Sequence, residues 1–258
     1  MFKKNNPKFT QGRILKNEML EELRDFPRTV VDITYANYSA GIISGFDLRV
    51  DQENITISQG IVKYQTEIIV LGEPIKIPYE ANDTKQILKL QFGENVIDAD
   101  FETRVVKIIL EDKPPQPENE LELARFRLSK GAYLRLDYQN FEDFLTGHNT
   151  LNLVHQPYSS TNGTTLNPTI LKYFARELLT YKTEHPHDLT IIYQALNQNT
   201  IITKELLTYY ITTRLDEQQI IQTNEQIHNG LAQILKLVKR EVKSPKRSSN
   251  SNRKLIVD

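Results

Sequence analysis

The residue types best suited to chemistry are few. Five histidines occur, His148, His155, His185, His187 and His228, and only His185-Pro186-His187 brings two close together. Two imidazoles so spaced could begin a metal site, but such sites add carboxylates or further histidines in a readable arrangement. Here the proline forces a turn between two helices, and Asp188 reads as the N-cap of the second. A surface turn is the favoured reading. Asp98, Asp100 and Glu102 alternate, so in a strand their carboxylates would share a face and could hold calcium or magnesium. The glycine of a tight calcium loop is missing, and charges along a strand edge commonly guard against edge pairing. A solvated edge is the favoured reading.

Nucleophiles and phosphate cradles offer less. The chain has no cysteine, which closes off thiol, disulfide and thiolate-metal chemistry. No GxSxG, GxxxxGK[ST] or GxGxxG pattern occurs, and the ten glycines are scattered singly. No catalytic, cofactor-binding or metal-ligating residue is therefore assigned. The expectation is a protein that is not an enzyme and needs no cofactor.

Charge is more informative. Across 258 residues, 32 basic side chains face 33 acidic ones, a formal net charge of -1. Residues 236 to 254 hold eight basic residues against the single acid Glu241, a local +7 that leaves -8 for the remainder. Lys243 to Asn252 has almost no apolar residue and should be disordered. Leu255-Ile256-Val257 follows. This tail could neutralise phosphates on nucleic acid, but it lacks interleaved aromatics for base stacking. The favoured reading is a tether, with Lys246 and Arg247 in a solvated spacer and Leu255, Ile256 and Val257 adding a strand to a partner's sheet edge. Nucleic-acid binding is the alternative.

The elements that must position these residues follow from periodicity. Leu15, Met19, Leu23 and Phe26 share a helical face, and Pro27 is expected to stop that helix. Such a short helix is marginal alone in water, so it should dock on something. From Gly41 to about Leu136 the period is two, in short runs such as Phe46-Leu48-Val50, Leu88-Leu90-Phe92 and Val106-Ile108-Leu110. Turn chemistry closes the runs, including Asp51 to Asn54, Gln59-Gly60 and Phe92-Gly93. The apolar register slips at Ala124, which would suit a bulge.

Four helices are expected beyond Asn167. Asn167-Pro168 is an N-cap followed by a proline at the first helical position. Leu189, Ile192, Tyr193 and Leu196 mark the second helix, and Ile202, Leu206, Tyr209 and Tyr210 the third. The fourth opens with the capping box Thr223-Asn224-Glu225-Gln226 and continues through Ile227, Leu231, Ile234, Leu235 and Val238. The tyrosines on these stripes, Tyr173, Tyr181, Tyr193, Tyr209 and Tyr210, are expected in the core, or at an interface where one end must stay wet.

The expected class is α+β. An N-terminal arm and helix (1–40) precede an antiparallel β-sandwich or small barrel (41–136). A connector (137–167), a helical bundle (168–240) and a flexible basic tail (241–258) complete it. No apolar run approaches the ~20 residues of a membrane-spanning helix, so no membrane partner is expected.

Certain segments carry a family resemblance. Gly41-Ile42-Ile43-Ser44-Gly45-Phe46-Asp47-Leu48 is followed by Asn54 to Tyr64, then Glu67-Ile68-Ile69-Val70-Leu71, and later Glu122 to Leu128. This "G-x-x-S-G" entry and "S-x-G" turn resemble the β-modules of contractile phage tail baseplate proteins. The opening NPKFTQGRILKNEMLEELRDFP, the helical NPTILKYFARELL and the closing KLIVD extend the likeness over nearly the full length. The chain thus resembles a family encoded in phage and prophage tail clusters of Gram-positive bacteria. The resemblance implies a virion component, made in the host cytoplasm, that assembles with other tail or baseplate subunits, as a homo-oligomer or within a multi-subunit assembly. Its motifs are structural and transfer no site residues. A carbohydrate-active enzyme of the tail tip is a further alternative, which needs paired carboxylates in a cleft, with Asp98, Asp100 and Glu102 as the candidates.

Overall fold

The computed structural model describes residues 5–197, 201–216 and 220–243. The α+β class holds, in the expected order. An N-terminal helix, α1 (Asn17–Thr34), leads into nine strands: β1 (Gly41–Gly45), β2 (Leu48–Val50), β3 (Asn54–Ile57), β4 (Gly60–Tyr64), β5 (Glu67–Leu71), β6 (Ile75–Pro78), β7 (Lys85–Ile97), β8 (Glu102–Glu111) and β9 (Glu120–Arg127). Five helices follow: α2 (Asp143–Thr146), α3 (Pro168–Thr180), α4 (Pro186–Leu196), α5 (Lys204–Leu215) and α6 (Asn224–Lys243).

The strands form three small antiparallel sheets, ordered β1-β4-β5, β2-β3-β6 and β8-β7-β9. The G-x-x-S-G entry has a steric reason. A Cβ on Gly41, at φ +143, would stand 2.8 Å from the Pro157 carbonyl oxygen, and one on Gly45, at φ +71, would stand 2.1 Å from that of Gln59. Both glycines let neighbouring backbone close on β1. The expected bulge is present, since Leu88 pairs with Ala124 while Lys89 pairs with Glu122. Phe92-Gly93, expected as a turn, lies inside β7: Gly93 and Glu94 bulge opposite Val105, so the ladder resumes at Asn95–Arg104.

One hydrophobic cluster runs from Ile42 and Phe46 in the sheets to Leu178, Ile234 and Val238 in the helices. The connector supplies its middle. Phe141 lies 5.5 Å from Phe174 and stacks on His228 at 4.4 Å, while Phe144 stacks on Tyr138 at 3.7 Å. In the connector Leu151, Asn152, Leu153 and Val154 are all buried, and Asn152 makes an isolated bridge to Arg125 of β9.

Several helix expectations need correction. α1 does not stop at Pro27 but continues to Thr34. Pro27 removes the hydrogen bond to the Leu23 carbonyl, yet Leu23 is half exposed, so that oxygen can stay in water and the break is tolerated. Asp188 is not a cap. His185 holds the N-cap position of α4 without a side-chain bond, and Asp188 points inward with Ile191, Ile192 and Ala195. The stripe is thus one residue out of step with the expected one, which puts Tyr193 in solvent. Likewise α5 buries Leu207, Tyr210, Ile211 and Arg214, leaving Tyr209 exposed. By contrast, Asn167 accepts from Thr169 N at 2.7 Å as expected, and Thr223 and Gln226 form the reciprocal capping box at 3.2 and 3.0 Å.

Candidate assembly surface

Met19, Leu23, Phe26, Val30 and Ile33 recur at alternating spacings of four and three, so in α1 they form one continuous apolar stripe, widened by Leu20 and Pro27. The opposite face carries Glu18, Glu21, Glu22, Asp25 and Asp32 with Arg24 and Arg28. A helix with this pattern normally buries its stripe. Here no residue of α1 is buried: Leu23 is 50%, Phe26 54% and Ile33 72% exposed. Fully burying such a side chain is worth about 1.5–3 kcal/mol. Covering four half-exposed ones would therefore contribute on the order of 3–6 kcal/mol, against an association cost of roughly 4–15 kcal/mol. The stripe suits one component of a larger interface.

One end of the helix is fixed. Lys63 in β4 is 6% exposed, and its ammonium donates to the carbonyl oxygens of Tyr35, Ala36 and Tyr38 at 2.5, 3.0 and 2.8 Å. Those carbonyls lie at and just beyond the C-terminal end of α1, where carbonyls lack helical partners and a cation meets the negative end of the helix dipole. The chain then continues into the core, with Ser39 N bonding the Ser160 carbonyl at 3.0 Å. Sequence reasoning missed Lys63. Its only signal was a lysine inside an otherwise apolar strand.

Between α1 and β5 runs a groove of about 960 Å³, lined by Pro27, Val31, Ile68, Ile69 and Val70 among others. Among the described residues β5 is an edge strand, hydrogen-bonded to β4 on one side only. The far wall is set by Arg104 of β8, whose guanidinium grips Glu67 at 2.7 and 3.2 Å and lies 5.2 Å from the centre of the Tyr64 ring. That pairing, with a further bond from Asn95, holds the Glu67 carboxyl below its ordinary pKa.

The residues singled out for chemistry are placed otherwise. Asp98 sits in the β7–β8 turn, its carboxylate accepting from Asp100 N and Phe101 N at 2.8 and 2.7 Å. These backbone bonds hold it below the usual carboxylate range. Asp98 and Asp100 therefore belong to an exposed turn, and only Glu102 reaches the groove, so the three do not line a cleft together. The His185 and His187 rings lie 5.4 Å apart, and Asp188 beside them bonds Thr183, Tyr210 and Arg214 at 2.7, 2.8 and 3.1 Å. Among the described residues no group of three or more His, Asp or Glu is placed to hold a metal ion. Lys246, Arg247, Leu255, Ile256 and Val257 lie outside the described residues.

No protein-family model matches the chain, and no curated protein sequence matches it. Among solved structures it is similar in fold to the crystal structure of TssK. The TM-score is 0.44 at 10% identity, over 92% of this chain and 72% of that one. No residue is carried over from that likeness. No helix among the described residues is long and apolar enough to cross a membrane.

Proposed function

We propose that the chain is a non-enzymatic structural subunit of a tail baseplate, in a phage or phage tail-like particle, that assembles through protein contacts of its terminal segments. The observation that carries this reading is α1, an 18-residue amphipathic helix with no buried residue, held at its C-terminal end by Lys63. A helix that leaves its whole apolar stripe in water reads as one that completes itself on a neighbour. The groove beside it, on the side of α1 that carries Pro27, Arg28, Val31 and Asp32, adds a strand edge that is unpaired among the described residues. The baseplate assignment itself rests on the sequence resemblance of the β-modules and of the opening segment.

The test is a paired substitution, Leu23→Asp with Val30→Asp, on the exposed stripe. The isolated chain should keep its circular dichroism and melting temperature, while incorporation into particles is lost, read by electron microscopy and by the protein content of purified tails. Normal incorporation of the folded variant would overturn the reading.

A further inference from the structure

We infer that the groove between α1 and β5 is the receptor for the C-terminal segment, residues 244–258, of a neighbouring copy. This rests on the assembly reading above and names its partner. Three observations lead to it.

The first is the edge. β5 presents Ile68, Ile69 and Val70, three β-branched residues, and Val70 is 65% exposed. An apolar, β-branched edge with one unpaired side is a ready template for another strand. Among the described residues no strand covers it.

The second is the fit of the segment. Residues 244–258 carry Lys246, Arg247, Arg253 and Lys254 against Asp258, and then Leu255-Ile256-Val257, whose last two residues are β-branched. Added to β5 as a strand, the triplet would place alternate side chains towards Val31 and Pro27 of α1 and away from them.

The third is charge. α1 carries five acidic residues against two basic ones. Asp25 pairs with Arg24, and Glu67 in the groove is taken by Arg104, whereas Glu18, Glu21, Glu22 and Asp32 have no ion pair within 4.0 Å among the described residues. The basic spacer complements that acidic face. Fifteen extended residues reach about 50 Å, enough to pass from one subunit to the next. Because donor and receptor are different surfaces, the contact is head-to-tail, and repetition closes a ring or extends a filament.

The probe is a fluorescent synthetic peptide of residues 243–258, titrated by anisotropy into the full chain carrying Leu255→Asp, Ile256→Asp and Val257→Asp. The expected result is saturable binding, weakened at least tenfold by Val70→Asp or Val31→Asp in the receptor. Higher salt, or Glu21→Lys with Asp32→Lys, should weaken it as well. N-methylation at Ile256 of the peptide, which removes a strand hydrogen bond, should also reduce it. Sedimentation should show larger species for the unsubstituted chain and a monomer for the tail variant, each with an unchanged melting temperature. Binding no better than that of a scrambled peptide, or indifferent to the groove substitutions, would overturn the inference. If the tail variant still enters particles through α1, this inference fails while the assembly reading stands. If the unsubstituted chain enters no particle, both fail.

Discussion

α1 and α6 are comparably amphipathic helices of 18 and 20 residues, and the molecule treats them in opposite ways. The stripe of α6, Ile227, Leu231, Ile234, Leu235 and Val238, lies entirely in the core. That of α1 lies in water. Polar ties follow the same division. α6 is held by His228 against the Phe141 carbonyl at 3.0 Å, by Lys236 on Glu142 at 2.6 Å, and by Glu241 on Arg214. α1 relies on Lys63. Periodicity reports that a helix has a face to cover, and the rest of the fold decides whether the cover comes from the same chain.

The sharpest way to break the comparison is at the node behind α6. Arg214 is nearly buried and bridges Asp188 and Glu241. Asp188→Ala leaves its guanidinium short of a buried partner and should lower unfolding stability by about 3–5 kcal/mol, read from the urea midpoint. A loss under 1 kcal/mol would mean that Glu241 alone suffices.

Matched truncations come next. Leu231→Ala in α6 should cost about 2–5 kcal/mol, whereas Leu23→Ala in α1 should change the isolated chain by less than about 0.5 kcal/mol. Equal losses would show that α1 is covered in the free protein.

His228 gives α6 a pH dependence of its own. Burial, only partly offset by the Phe141 carbonyl, pushes its pKa down to about 4. It is therefore neutral in the folded chain, while the unfolded chain takes up its proton below roughly pH 6.5. The folded state keeps its full stability above that value and loses about 3 kcal/mol from this group as the pH falls towards 4. Burial depresses His155 as well, with the same sign. Thermal melts of His228→Gln should be flatter over that window, and a slope unchanged from the parent would exclude His228 as its source.

The smallest effect concerns the tie of α1. Lys63→Met keeps the aliphatic stem but leaves three carbonyls without their donor, a loss of roughly 1–3 kcal/mol. Hydrogen exchange should accelerate from Val31 to Tyr38 with little change in α6. Uniform acceleration would instead make Lys63 a global strut.

These residues also mark where the sequence could be read and where it could not. Helix starts were legible because caps are local: Asn167-Pro168 and Thr223 to Gln226 act within a few residues of themselves. The α6 stripe was legible because it matches the helical period throughout. Asp188 and Lys63 were not, since Tyr210 and Arg214 for the first, and the Tyr35 carbonyl for the second, lie 22 to 28 residues away and no local rule separates a buried ion from a cap or a surface lysine. Pro27 misled because a proline's harm depends on whether the orphaned carbonyl meets water, and exposure is a tertiary fact. The groove was invisible for the same reason: β5 reads like any other strand until its pairing order makes it an edge.

The attachment of α1 through Lys63 has a mechanical consequence. An 18-residue helix anchored at one end is a lever arm of about 27 Å, so a tilt of about 10° at the pivot swings its tip by roughly 5 Å. The pivot sits on β4, the central strand of the sheet whose edge is β5. A neighbour that took hold of the tip would therefore apply torque to that sheet, while Val31 and Pro27, closer to the pivot, would move past β5 by only about 1–2 Å.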